Sequence, residues 1–331
     1  MNRNKILIGT IIIMQLIFIG CGKSDSESPD NMDYRQEMRD LVIDLGTYAK
    51  SFDSGFLIIP QNGQELFTNN GEAGPNSVPK TAYLHALDAT GRESMLYGYY
   101  NDDEETPDID KQHLLDLCFI CEGYNIKVLA TDYCTAHSKM DNSYQLHEQY
   151  GFISFAANER ELNNIPDYPA TPYNVNGDDI SDISQAKNFL YLINSEKFAT
   201  KQDFLNAVSA TDYDAVIMDL YHNEEIYTHS EIDQLKTKQN GGKRLLICYM
   251  SIGEAEDYRY YWQESWETDK PAWLGAENPD WEGNYKVKYW ETGWQDIIFN
   301  HDNSYLKKIL DAGFHGVYLD IVDAFEYFEE D

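Results

Sequence analysis

From Tyr34 onward, apolar runs of five or six residues alternate with longer stretches whose apolar residues recur at helical spacing. The runs are Phe56–Pro60, Met95–Tyr99, Lys127–Thr131, Gly151–Phe155, Phe189–Ile193, Ala215–Asp219, Arg244–Tyr249 and Gly316–Asp320. Near-continuous apolar runs bounded by turn residues suit strands buried on both faces of a parallel sheet. Helical patterns lie between them, as at Tyr34–Lys50, Lys111–Gly123 and Lys201–Ala210. Eight such strands alternating with helices predict an α/β fold, a single-domain (β/α)8 TIM barrel over residues 34–331, with its site at the C-terminal strand ends. A doubly wound sheet competes with the barrel, but it would more naturally carry a glycine-rich phosphate loop after an early strand, and none is present.

Two stretches break the rhythm. Asn158–Lys187 contains Pro166, Pro169 and Pro172 among Asn and Asp residues, without periodicity, and is expected to be an irregular loop. Tyr258–Trp294 holds all six tryptophans and connects the last two strands. A tryptophan-rich loop at a barrel mouth suits saccharide stacking, and it equally suits a private core for an extended loop. Both roles stay open.

The first residues read as a targeting signal. Arg3 and Lys5 precede an apolar stretch, Ile6–Ile19, too short and too close to the terminus for a spanning helix. Residues 1–20 are therefore expected to be a signal peptide, and Gly22–Asp33, rich in Ser and Asp, a flexible tether. Ile17-Phe18-Ile19-Gly20-Cys21 resembles a bacterial lipobox, which implies lipidation at Cys21 and an extracytoplasmic protein held at the outer membrane or cell surface by that lipid alone.

Composition narrows the partners. With 57 acidic against 25 basic side chains and a formal charge of −32, the chain would repel a phosphate backbone, so no nucleic acid is expected as partner. Of the cysteines beyond Cys21, Cys118 and Cys121 stand at helical spacing, and no second pair completes a zinc pattern. Cys118, Cys121, Cys134 and Cys248 are expected free and buried. The histidines show neither HxH nor HExxH, which disfavours a metal-dependent hydrolase, and no metal or cofactor is expected.

Carboxylates recur where strands end. Gly316-Val317-Tyr318-Leu319 delivers Asp320 to a strand lip, with Asp323 just beyond. Asp219 follows Ala-Val-Ile-Met, Asp132 follows Val-Leu-Ala-Thr, Asn62 follows Ile-Ile-Pro-Gln, and Asp102 follows Tyr-Gly-Tyr-Tyr-Asn. The strand containing Tyr249 runs on into Glu254, Glu256, Asp257 and Arg259. Glycosidic cleavage needs one protonated and one ionised acid at a common point, which such a constellation can supply.

The motifs CYMSIGEAEDYR (248–259), WLGAENPDW (273–281) and GFHGVYLDIVDA (313–324) resemble glycoside hydrolase family 114, the endo-α-1,4-polygalactosaminidases and their bacterial relatives. GFLIIPQNGQEL (55–66), Met95–Tyr100 and Thr131–Cys134 are similar to further family strands. In the family the segment like Val317–Tyr327 precedes the one like Tyr34–Leu66, whereas here it closes the chain. The resemblance therefore implies a circularly permuted barrel, strand order 5-6-7-8-1-2-3-4, with the family's own ends joined through Asn158–Lys187.

The same resemblance implies a retaining glycoside hydrolase without a cofactor, acting on an α-linked amino-sugar polysaccharide such as polygalactosamine. Asp320 would be the nucleophile. The family's acid/base glutamate ends its sixth strand, and the run Leu96–Asp102, read as that strand, has no such residue. Asp102, Glu65 and Glu256 are the substitutes. Asp219, Glu254, Glu256, Asp257, Arg259, Asn62, Tyr249, Asp132 and Asp323 would bind and orient the sugar. The alternatives are a non-hydrolytic saccharide-binding lipoprotein that lost its acid/base, or another α-glycosidase specificity on the same barrel.

Overall fold

The computed structural model describes residues 32–329, so the amino-terminal apolar run and Cys21 lie outside the described residues. Parallel strands carry the architecture: β1 (Leu57–Pro60), β2 (Ala89–Glu93), β3 (Lys127–Tyr133), β4 (Ile153–Ala157), β5 (Phe189–Tyr191), β6 (Ala215–Met218), β7 (Leu245–Ser251) and β8 (Gly316–Asp320). One parallel sheet has the order β1-β8-β7-β6-β5 and the other β2-β3-β4. Beyond β1, Gln61 bridges Gly91 of β2, and the Asn62 N–H donates to the Gly91 carbonyl at 2.9 Å. At the other edges Phe155 of β4 packs on Phe189 of β5, with ring centroids 5.8 Å apart. This is a mixed α/β domain compatible with a barrel-like fold.

Seven of the eight expected strands coincide with observed ones, give or take their ends; the expected strand Met95–Tyr99 does not. The chain there is a loop, and the strand is Ala89-Thr90-Gly91-Arg92-Glu93, whose polar residues hide it from a search for apolar runs. All five are buried because neighbours satisfy them: the Gln64 amide donates to Thr90 Oγ1 at 3.0 Å, and Arg92 donates to Gln64 Oε1 at 3.1 Å. Met95 and Leu96 are apolar because their loop is itself buried, anchored where the Leu96 and Tyr97 N–H groups donate to Asp132.

Helix α1 (Tyr34–Phe52) starts on Asp33, whose carboxylate accepts the Gln36 N–H at 3.0 Å. It buries Met38, Leu41, Val42, Leu45 and Ala49, an i, i+3, i+4, i+7 stripe packed toward β1 and the helix Tyr305–Ala312. Its first turn meets the residues that follow β8. Arg35 pairs with Glu329 through contacts of 2.8 and 2.9 Å, and the Tyr34 ring lies 5.4 Å from that of Phe328. Helix α1 thus occupies the place of a crossover between β8 and β1, and Tyr34 lies at the end of the molecule to which β8 delivers Asp320.

Asn158–Lys187 forms no α-helix or strand, as its composition suggests, only a short 3-10 turn at Ile183–Gln185. Within Tyr258–Trp294, the strands Leu274–Glu277 and Asn284–Val287 join Glu254–Glu256 in an antiparallel sheet. Trp262, Trp266, Trp273 and Trp294 follow one another at centroid spacings of 5.2, 5.0 and 5.2 Å, and the last three are buried. For these the private-core role holds. Cys118, Cys121, Cys134 and Cys248 are free and buried, as expected.

Candidate active site

The side chains of Gly316, Tyr318 and Asp320 share one face of β8, since successive strand residues alternate. That face points at β2 and β5: the Tyr318 ring lies 5.1 Å from that of Tyr191, and a Cβ at Gly91 would sit 1.8 Å from the Tyr318 hydroxyl. Gly91 is glycine because the Tyr318 hydroxyl occupies the space of its missing side chain. Above this tyrosine layer stands Asp320, only 4% exposed. Its Oδ2 accepts the Tyr249 hydroxyl at 2.5 Å, and its Oδ1 accepts the Ile321 N–H at 2.9 Å. Ile321 has φ of 59°, in the left-handed region that a β-branched residue rarely enters, and Asn62 and Ser94 share this conformation just beyond β1 and β2. Such backbone persists only where its surroundings over-determine it, and it is concentrated here where the strands end.

Glu93 ends β2 on the same face as Gly91 and is 5% exposed. Sequence reasoning missed it because it placed the strand several residues too late. The signal that could have found it is the pairing of a small residue, Gly91, with an acid two positions on, which gives that acid the inward face. Glu93 Oε1 accepts the Tyr133 hydroxyl, Oε2 accepts the Asn62 amide at 3.3 Å, and the Glu93 N–H donates to Asn62 Oδ1 at 3.2 Å.

Both acids hold protons more tightly than free carboxyls. Burial pushes Glu93 up, countered by Tyr133, Asn62 and Arg160. Burial pushes Asp320 far up, countered by Tyr249 and reinforced by the charges of Glu93 and Asp323. A charge on Glu93 thus disfavours a second charge on Asp320.

Beside this pair, Arg259 grips two carboxylates. Its Nε meets Glu256 Oε2 at 2.6 Å, and its Nη1 and Nη2 reach Asp219 at 3.0 and 2.8 Å. All three are almost fully buried. Glu254 is likewise enclosed, accepting from Asn278 at 2.8 Å, Asn284 at 3.2 Å and Tyr327 at 3.0 Å. These acids therefore do not form an open negative ring at the strand ends.

The other expected site residues are dispersed. Asp132 lies next to inward-facing Tyr133 and so points out of the sheet, where it accepts from Ser143 at 2.6 Å and pairs with His147 at 2.8 Å; it organises helix His137–Gln149 and meets no cleft. Asp102 lies on the loop after β2 and bonds Arg160 at 2.7 Å. Glu65 and Asp323 line a separate cavity of about 140 Å³ with Arg92, Asp110 and His113. Burial, then the charge of Glu326, push Asp323 up to about 8. Asp257 is exposed on the tryptophan-bearing insertion, its N–H bonded to the Gly283 carbonyl at 2.8 Å. The structure thus gathers Asp320, Tyr249, Asn62, Glu93, Asp219, Glu256 and Arg259, and sets Asp132, Asp102, Glu65 and Asp257 apart. Among the described residues, no group of three or more His, Cys, Asp or Glu is arranged to hold a metal ion.

Two buried carboxyls on facing strands, each held by a tyrosine hydroxyl, can divide the roles of nucleophile and proton donor. An uncharacterized protein of Methanocaldococcus jannaschii is 56% identical over 104 residues, 31% of this chain and 28% of that protein. Uncharacterized proteins of Thermotoga maritima and Deinococcus radiodurans are 40% and 38% identical, each covering 38% of this chain and 37% and 38% of their own lengths. The chain thus spans less than two fifths of the length of these curated relatives. Residues 182–331, which carry Asp219, Tyr249, Glu256, Arg259 and Asp320, match the family model described as Glycoside-hydrolase family GH114.

Proposed function

We propose that the protein is a retaining glycoside hydrolase in which Asp320 is the nucleophile and Glu93 the acid/base. The observation that carries this reading is the pair of buried carboxyls at the ends of β8 and β2, each bonded to a tyrosine hydroxyl. In the state that reacts, the Tyr249 hydroxyl and the Ile321 N–H hold Asp320 ionised against the burial that favours its proton, and Asp320 attacks the anomeric carbon while Glu93 gives its proton to the departing glycosidic oxygen. Glu93 then takes a proton from water as that water displaces Asp320, which regenerates both groups. In a closed barrel of permuted order 5-6-7-8-1-2-3-4, β2 is the sixth family strand, and Glu93 stands where the family resemblance asks for its glutamate. The crossover position of α1 and the β1 to β2 bridge support the permuted, closed arrangement. The saccharide-binding alternative rests on a missing acid/base, and the role proposed for Glu93 speaks against it.

The substrate class we favour is an α-linked amino-sugar polysaccharide of the polygalactosamine type. Asp219, Glu256 and Glu254 are satisfied internally, so a cationic sugar would meet Asp110 and Glu65 at the neighbouring cavity instead. Incubated with partly deacetylated α-1,4-polygalactosamine, the full chain is expected to release oligomers whose new reducing ends are first α in proton NMR. Glu93→Gln is expected to slow this by about 10²–10³-fold, the usual worth of a positioned acid. First-formed β ends would overturn the retaining mechanism, and an intact polymer would overturn the substrate class.

We also propose that the protein works outside the cytoplasm, held by lipid on Cys21. No helix among the described residues is long and apolar enough to cross a membrane. Cells fed a clickable palmitate are expected to label the full chain and not its Cys21→Ser variant; equal labelling of both would remove the anchor from the proposal.

A further inference from the structure

We infer that Arg160, supplied by the irregular loop after β4, is a positioning residue that sets Glu93 through the ring of Tyr133. The inference rests on Glu93 being the acid/base.

The geometry is a stack with three fixed layers. Glu93 Oε1 accepts the Tyr133 hydroxyl at the bottom. The Arg160 guanidinium carbon lies 4.1 Å above the centre of the Tyr133 ring, within the range of a cation–π contact. Arg160 is in turn pinned from above, where Nε donates to Asp102 at 2.7 Å and Nη2 to the Gly98 carbonyl at 2.6 Å. The loop that carries these two anchors is laid against the end of β3: the Asp103 N–H donates to the Tyr133 carbonyl at 3.0 Å, and the Tyr133 N–H donates to the Tyr97 carbonyl at 3.2 Å. Gly98 has φ of 100°, and a Cβ there would come 2.8 Å from Tyr133 Cβ and 3.1 Å from Arg160 Nη2. Glycine at this position lets loop, ring and guanidinium lie flat on one another.

The consequence is chemical as well as steric. A phenol beneath a guanidinium is a stronger hydrogen-bond donor, and the same cation favours the ionised form of Glu93. The other groups facing Glu93 are Asn62 and Gln61 beyond β1, Asp320 and Tyr318 on β8, Tyr191 on β5 and Arg92 beside it in β2. Arg160 is a cation that reaches Glu93 from outside the strand layer, with its side chain 22% exposed, so it can be exchanged without opening the tyrosine layer.

The test combines kinetics with direct titration of the full chain. Arg160→Met is expected to lower kcat on partly deacetylated polygalactosamine by about tenfold, the scale of a modest misplacement of a catalytic group. It should also move the alkaline limb of the kcat/KM profile to higher pH. Asp102→Asn should do the same more weakly, and Arg160→Lys should keep the limb near its original pH while restoring only part of kcat. The carbon-13 signal of labelled Glu93, assigned by its loss in Glu93→Gln, should titrate at higher pH in Arg160→Met. A limb and a titration unmoved by Arg160→Met and Asp102→Asn would overturn the inference while leaving the acid/base reading intact. Full activity of Glu93→Gln would overturn that reading instead.

Discussion

Asp320→Asn is expected to reduce turnover by about four orders of magnitude, as removal of a nucleophile from an assembled site does. The fold should survive, because asparagine keeps the shape: its Oδ1 can still accept the Ile321 N–H, and its amide N–H can donate to the Tyr249 hydroxyl oxygen where the carboxylate accepted. Urea unfolding midpoints of the two proteins should therefore lie close together, or the variant's should be higher, since a buried charge-bearing group has been made neutral. Azide offers a sharper check. In Asp320→Gly, which unlike asparagine vacates that face, azide can enter and yield a glycosyl azide of inverted configuration in one step. With Glu93→Gln, where Asp320 still forms the covalent intermediate, azide should yield the retained product. Inverted azide from Glu93→Gln and retained azide from Asp320→Gly would exchange the two assignments.

Arg259→Gln is expected to be the most destabilising single change near the site, by about 3–5 kcal/mol, because it strips the partner from two buried carboxylates at once. Asp219 and Glu256 would be left facing one another without a cation. The pKa of Asp219, which burial already raises against the pull of Arg259, would then rise further above the unfolded value of about 4. A carboxyl with a raised folded pKa binds more protons folded than unfolded, so stability falls as pH rises through and above the unfolded value. The deficit should accordingly be largest near neutrality and shrink as the pH approaches about 4. Denaturant titrations of both proteins at several pH values measure it, and a deficit independent of pH would mean that the Arg259 cluster is not held by charge.

What could be read from the sequence follows from where the energy of each segment comes from. Strands such as β7 and β8 announce themselves, since residues buried on both faces must be apolar and nothing else offsets the loss of water. Asp320 was visible for the same reason, as the first acid after an apolar run. β2 was hidden because its burial is sustained by side-chain hydrogen bonds from Gln64 and Arg92 that only the fold brings near. Glu93 went with it, and the apolar decoy Met95–Tyr99 carried the search to Asp102. Asp132 misled in the opposite direction. Its place at a strand end was right, but alternation turns it outward, and one residue of register separates a substrate ligand from the hub that binds His147 and Ser143. The pairing of Arg259 with both Asp219 and Glu256 was equally out of reach, for it joins a strand end to an insertion about 40 residues on.

The confinement of every tryptophan to Tyr258–Trp294 gives the molecule a division of optical labour. Emission excited selectively in tryptophan arises from this one insertion, where four of the indoles pack in a column, whereas the strand layers that hold Tyr133, Tyr191, Tyr249 and Tyr318 carry none. Tryptophan emission and backbone circular dichroism therefore report separately on the insertion and on the fold as a whole in the unmodified protein. Their difference during unfolding or ligand binding reports whether the insertion that carries Arg259 moves with the strands that carry Asp320 and Glu93, or ahead of them.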